Sequence, residues 1–406
     1  MPFLSVVIFM LIFGAPIAVL GAAGESVAEL RDISVAGLLI LYIAYRVLYK
    51  RRTATAVIAS GWVLAYAGFV MYLLLGVAFS EHRTLAIAVL VRLSIGLLLV
   101  IAVAVSPLRL HQQAMLTVAS TLPKFFLGYA IIAFCLYIVL GQQYLEGLSG
   151  RHYSKFIALS GLLFSVAMIA KRCGGRLVRV SAIIMAATGL LCLQRGFILA
   201  AVAGVSSILM IAKSGRKSKL NIAVLVVVGA GVMLTILKDR ILDYSFYDAV
   251  GPSQILAAVR NGTFNFEMLR TRGRLDLVES ILNDSEITLL GSGGGTAKYI
   301  VGEDFGTGKE PHNDILALLV DYGVVGLFLF ITFGFLFIKR ALSISRAQSD
   351  EVSALAISSI SIFTACAVWM TFSNVLIYAM NGFAFALMLL ALSEHLTCRL
   401  GLSYES

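Results

Sequence analysis

Charge is what this 406-residue chain has least of. Asp, Glu, Lys and Arg together make 13% of it and hydrophobic residues 60%, where a soluble domain carries roughly 25% and 45–50%. So little charge cannot cover a water-facing surface, and so much apolar content cannot stay unfolded in water. A soluble globular enzyme and a disordered polymer are both excluded. The five cysteines, Cys135, Cys173, Cys192, Cys366 and Cys398, are scattered without metal-ligand spacing, which excludes a disulfide scaffold and a thiolate metal site. Neither a repeat of fixed period nor a low-complexity tract occurs. What remains, at a mean hydropathy of +0.94, is an integral membrane protein.

Apolar runs close to the roughly 20 residues that cross a bilayer recur near 3–20, 33–48, 54–79, 84–105, 123–141, 155–170, 177–193, 196–212, 220–237, 314–338, 353–371 and 375–394. The pattern predicts an all-α protein of about twelve transmembrane helices. Nine fall in 1–238, a long polar loop follows over 239–312, and three more helices occupy 313–406. The first run has no basic leader, so it reads as a retained helix rather than a signal peptide.

The net charge of +10 reports orientation rather than a nucleic-acid partner. Loops after the even-numbered runs hold four basic residues at 46–52, two at 109–124, four at 171–179, four at 213–219, three at 339–346, and Arg399 follows the last run. The short loops on the other side hold only Arg31, Arg83, Arg151, Lys155 and Arg195. Basic residues concentrate on the cytoplasmic side of a polytopic protein. Both termini are therefore expected in the cytoplasm, and the 239–312 loop outside.

That outer loop is where chemistry is expected, because long loops among short connections tend to be functional. Leu275, Val278, Ile281 and Leu282 recur at helical spacing, which predicts an amphipathic helix lying on the membrane or packed against the bundle. Arg270, Arg272 and Arg274 cluster at its start, either as anchors to acidic head groups or as a clamp for a phosphate. The run Gly291-Ser-Gly-Gly-Gly295 reads as turn residues, flexible enough to admit a large substrate. Gly302–Lys309 imitates a nucleotide phosphate loop, but its glycines are one residue too far apart and Glu310 follows the lysine. Nucleotide binding is rejected.

Pro311-His312-Asn313-Asp314 marks a helix start, placing His312 at the positive mouth of a membrane helix, where free N–H groups suit an anion. Asp314 and Asp321, seven apart, share a face expected to point into the bundle. Arg195 lies at a tight outer turn. Arg92 lies well inside an apolar run, where a charge needs a ligand or a partner, Asp321 being one candidate.

Gln194-Arg195-Gly196 at an outer turn, Gly273-Arg274-Leu275 opening a loop helix, Leu289-Leu-Gly-Ser-Gly-Gly-Gly295, and His312-Asn313 ahead of Tyr322-Gly-Val-Val-Gly-Leu327 together resemble the O-antigen ligase and polymerase superfamily of bacterial membrane glycosyltransferases. The likeness spans about 190–340 and is otherwise one of helix number. It implies a GT-C-like architecture in the bacterial inner membrane and a site on the periplasmic side. It also implies metal-independent, inverting transfer without a cofactor. The donor would be a glycan on undecaprenyl pyrophosphate. The acceptor would be a sugar hydroxyl on a lipid-linked repeat unit or on lipid A–core, with a chain-length regulator and a flippase as company.

By the same resemblance His312 acts as general base, and Arg195 and Arg274 bind the pyrophosphate. Arg270, Arg272 and Arg92 join them as candidates on charge and position alone. The reading favours a polymerase of O-antigen or exopolysaccharide repeat units, with an O-antigen ligase second. From another class, a polysaccharide transporter or flippase would instead use Arg92 and Asp321 within the membrane.

Overall fold

The computed structural model describes residues 24–48, 57–106, 121–132, 148–173, 175–191, 195–212, 260–261, 274–285, 287–305, 311, 313–346, 349–371 and 380–400. Every element among them is a helix. In chain order they are α1 (Gly24–Leu48), α2 (Gly61–Phe79), α3 (Arg83–Ala104), α4 (Thr121–Ile132), α5 (Leu148–Ala170), α6 (Arg176–Leu191), α7 (Arg195–Ile211), α8 (Arg274–Asp284), α9 (Thr296–Phe305), α10 (Asp314–Ser345), α11 (Asp350–Met370) and α12 (Met380–Leu400). Four of these, α2, α3, α10 and α11, are long and apolar enough to cross a membrane. The runs at 3–20 and 220–237, the second half of 123–141, and much of the long loop lie outside the described residues.

The bundle is built around α11, which is buried almost all round by α5, α7, α10 and α12. Its sequence explains this position. Ala and Ser recur along Ser353–Ala365, and small side chains let neighbouring backbones approach closely. Its buried hydroxyls are satisfied locally. Ser358 and Ser361 donate to the carbonyls one turn back, and Ser359 reaches across to the Ala386 carbonyl of α12 at 2.8 Å.

Between helices, aromatic rings fill the space. Tyr66 of α2 packs on Phe333 of α10 with ring centres 4.7 Å apart, and Phe337 stacks on Phe363 of α11 at the same separation. In lipid the alternative surroundings are as apolar as the core, so close packing of this kind, rather than escape from water, holds the helices together. The outward face tells the same story. Phe328, Ile331 and Phe335 form an exposed stripe along α10, an aggregation hazard in water but an ordinary lipid-facing surface in a bilayer. The chain is an all-α, membrane-embedded protein.

The helices give the bundle two distinct ends. A 22-residue helix such as α3 is about 33 Å long, and its start at Arg83 lies against the loop ahead of α9, while its end at Val105 accepts a hydrogen bond from Arg46 of α1. At that second end Glu394 accepts from Trp62 (2.8 Å) and pairs with Arg340 (2.7 Å), and Lys171 pairs with Asp350 (3.1 Å). Arg46, Lys171 and Arg340, three of the basic residues that the positive-inside count assigns to one side, therefore lie at the end opposite α8 and α9.

One expectation changes. Asp32, buried within α1, and not Asp321, is the partner of Arg92, at 3.2 Å. An intramembrane charge is stable only when neutralised, and α1 runs alongside α3 so that this pair closes.

Candidate functional site

The site region is the first end of the bundle, where α8, α9, the start of α10, the 287–295 loop and the α2–α3 turn converge. Asn313 caps α10. Its side-chain oxygen accepts the N–H groups of Ile315 (3.1 Å) and Leu316 (3.0 Å). The cap bears out the helix start read from Pro311-His312-Asn313-Asp314. It also changes the anion argument, because two amides at the helix mouth are already taken. What the end still offers an anion is the positive pole of the helix dipole.

Asp314 and Asp321 are both buried, on the shared face expected. Asp321 has a definite task. One carboxylate oxygen accepts the Gly295 N–H (2.8 Å) and the other the Ala297 N–H (2.8 Å), so it caps α9 from the neighbouring helix. Charge-assisted bonds of this kind are about twice as strong as neutral ones.

Immediately after Asp321, α10 breaks. Gly323 lies at φ 66°, ψ −170°, a conformation that strains any residue bearing a Cβ. The break leaves the carbonyls of Val320 and Asp321 and the amides of Val324 and Val325 without helical partners, and the glycine loop supplies all four. Ser292 N–H donates to Val320 O (2.9 Å) and Gly293 N–H to Asp321 O (2.9 Å), while Thr288 O and Leu289 O accept from Val324 and Val325. The two chains approach so closely that a Cβ on Gly291 would overlap the backbone of Asp321 and Gly323. The glycines of 291–295 are thus a fully bonded seam, not the flexible entrance expected from composition.

The α2–α3 turn is fastened to the same seam. The buried Ser80 hydroxyl donates to Gly294 O (2.6 Å) and accepts the His82 N–H (2.9 Å), and Tyr72 Oη lies 3.1 Å from the Leu290 carbonyl and 3.2 Å from that of Tyr322. His82 then stacks on Tyr299 of α9, ring centres 4.0 Å apart and 18° from parallel. Tyr299 bonds the Glu303 carboxylate one turn on, and that carboxylate holds the phenol above its ordinary pKa and therefore protonated.

Helix α8 does form where the hydrophobic spacing predicts, and it packs against the bundle. Ile281 is buried with Ala297, Val301, Leu316 and Val320, with Val278 against them, while Leu282 stays exposed. Of the predicted site residues, Arg274 is the first residue of α8 and Arg195 the first of α7, and the side chains of both lie outside the described residues. Phe197 of α7 meets Trp369 near the end of α11, which sets the start of α7 at the same end of the bundle as α8. His312, Arg270 and Arg272 lie outside the described residues. Arg92 is engaged by Asp32.

The polar turn Ser80-Glu-His-Arg83 and Tyr299 were not singled out by sequence. A polar tetrad between two unbroken apolar runs was the available signal. No protein-family model matches the chain, and no curated protein matches it.

Proposed function

We propose that the protein is a membrane glycosyltransferase. In this reading it moves a glycan from undecaprenyl pyrophosphate to a sugar hydroxyl at the outer face of the bacterial inner membrane, as a polymerase of O-antigen or exopolysaccharide repeat units. The supporting observation is convergence. The helix opening at Arg274, the seam at 289–295, the capped helix that follows His312 and the broken segment Tyr322–Gly326 all lie at one end of an apolar bundle. Those are the segments that carry the resemblance to the ligase and polymerase superfamily.

The chemistry suits these residue types. The acceptor oxygen attacks the anomeric carbon of the donor, and a new C–O bond forms as the C–O bond to pyrophosphate breaks, with inversion. Undecaprenyl pyrophosphate departs with the electron pair, its charge met in this proposal by Arg195 and Arg274, with Arg270 and Arg272 as further candidates. The acceptor proton passes to the His312 imidazole, whose ordinary pKa near 6.5 suits a base at neutral pH. Two guanidinium groups and a helix dipole supply positive charge of the kind a pyrophosphate leaving group needs without a divalent ion. Arg92 is left out, because Asp32 already neutralises it. The end bearing Arg46, Lys171 and Arg340 faces the cytoplasm in this reading.

Deletion of the gene, followed by a gel of surface glycans, tests the proposal. A polymerase leaves lipid A–core carrying a single repeat unit or abolishes the exopolysaccharide. A ligase leaves bare core with polymer retained on the lipid carrier. Unchanged glycans would sink the proposal. So would full-length glycan in each of His312→Ala, Arg195→Ala and Arg274→Ala at normal protein levels.

A further inference from the structure

Beside the seam, the stretch 79–85 lines an open hollow of about 580 Å³. Its floor is fixed from several sides. Gly293 lies against the Ser80 backbone and Gly295 against Leu85, so closely that side chains at either glycine would collide, and Ser80 bonds the Gly294 carbonyl. His82, one of the lining residues, stacks on Tyr299, which is 43% exposed, and Glu81 and Arg83 are exposed on the turn.

A flat ring face next to a carboxylate and a guanidinium is a combination that fits a neutral pyranose. The ring covers the apolar C–H face, and the charged groups accept from and donate to adjacent hydroxyls. The same surroundings disfavour a pyrophosphate. Glu81 and Glu303 both approach Tyr299 and raise its pKa by their charge, and a doubly charged anion would meet that repulsion directly. In the donor the reacting sugar is bonded to pyrophosphate, whereas the accepting end of a glycan is remote from any phosphate.

We propose that the α2–α3 turn and Tyr299 form a saccharide subsite that holds the acceptor sugar, with the exposed Tyr299 ring, backed by His82, as its stacking platform and Glu81 and Arg83 as its hydroxyl partners. The inference deepens the glycosyltransferase reading and rests on it. A platform welded by Ser80 and the glycine seam to α10 holds its place relative to that helix.

The test uses full-length protein in detergent and saturation-transfer NMR with methyl glycosides of glucose, galactose, mannose and N-acetylglucosamine as probes. Wild-type protein is expected to transfer saturation to at least one glycoside. Tyr299→Ala and His82→Ala should lose at least about fivefold of that signal, Tyr299→Phe should keep it, and Lys171→Ala, at the far end of the bundle, should leave it unchanged. Thermal unfolding run in parallel identifies any variant that has lost its fold, and Glu81→Gln, on the exposed turn, then carries the test. In a turnover assay with lipid-linked glycan, the His82 and Tyr299 variants should raise the KM for acceptor and leave that for donor. No signal in the wild type, or an equal signal in both alanine variants, overturns the subsite even if transfer activity is present. Binding that depends on His82 and Tyr299 in a protein that never transfers glycan keeps the subsite and overturns the enzyme reading.

Discussion

The two ends of the bundle are held by different means. At the far end the fastenings are side chains. Glu394 joins Trp62 and Arg340, Lys171 joins Asp350, and Arg46 reaches the Val105 carbonyl. At the site end they are mostly main chain. The broken α10 and the 287–295 loop exchange backbone hydrogen bonds, and Asp321 and Ser80 add bonds to backbone groups. Side-chain pairs tolerate small shifts, because long flexible arms adjust. A backbone seam does not, since its partners are spaced by covalent geometry and its glycines leave no room. An end that must hold reacting groups in constant geometry gains from the second kind.

That contrast can be broken most severely at Asp321. Asp321→Ala strands the Gly295 and Ala297 amides in a buried setting, and each unmet group costs about 1–3 kcal/mol. It should therefore give the largest loss of thermal stability in detergent, with loss of activity. Asp321→Asn keeps one acceptor oxygen and should fall between this variant and wild type. If Asp321→Ala melted like wild type, the seam would not be what secures this end.

Gly323→Ala comes next. Positive φ with ψ near 180° is a region essentially reserved for glycine and costs a residue with a Cβ about 1–3 kcal/mol, and overlap with the Leu289 backbone adds to it. The expected result is a clear fall in melting temperature, whereas Gly302→Ala, where a Cβ meets nothing, should be silent.

At the far end effects should be smaller. Glu394→Gln keeps the bond from Trp62 but leaves Arg340 without its charge partner. Because the Arg340 side chain is 29% exposed and can turn toward water, the loss should be about 1 kcal/mol, read from the same melts. Smallest of all is Lys171→Ala. Its partner Asp350 is 64% exposed, and such pairs contribute about 0–1 kcal/mol. A far-end variant that destabilised more than Asp321→Ala would reverse the comparison.

Much of the fold was legible because membrane helices announce themselves locally. An apolar run of sufficient length must satisfy its own backbone, so α2, α3, α10 and α11 follow from composition. The starts of α8 and α10 followed from spacing and capping residues, which also act locally. The pairing of Arg92 was not legible, since Asp32, Asp314 and Asp321 are equivalent on paper. It depends on which helix lies beside α3. Nor was the role of Gly291–Gly295, because a run of glycines is equally compatible with a flexible loop and with a seam that has no space for a side chain.

The sequence by itself determined that this protein is built of membrane-type apolar helices and where its long polar segment carries amphipathic helix. Both depend on the transfer energies and periodicities of neighbouring residues. Only the tertiary structure decided that Asp321 caps a helix other than its own, that the break at Gly323 is healed by a loop some thirty residues earlier, and that His82 meets Tyr299 more than two hundred positions away. Such pairings are set by which helices pack together, and no local preference of the residues involved encodes them.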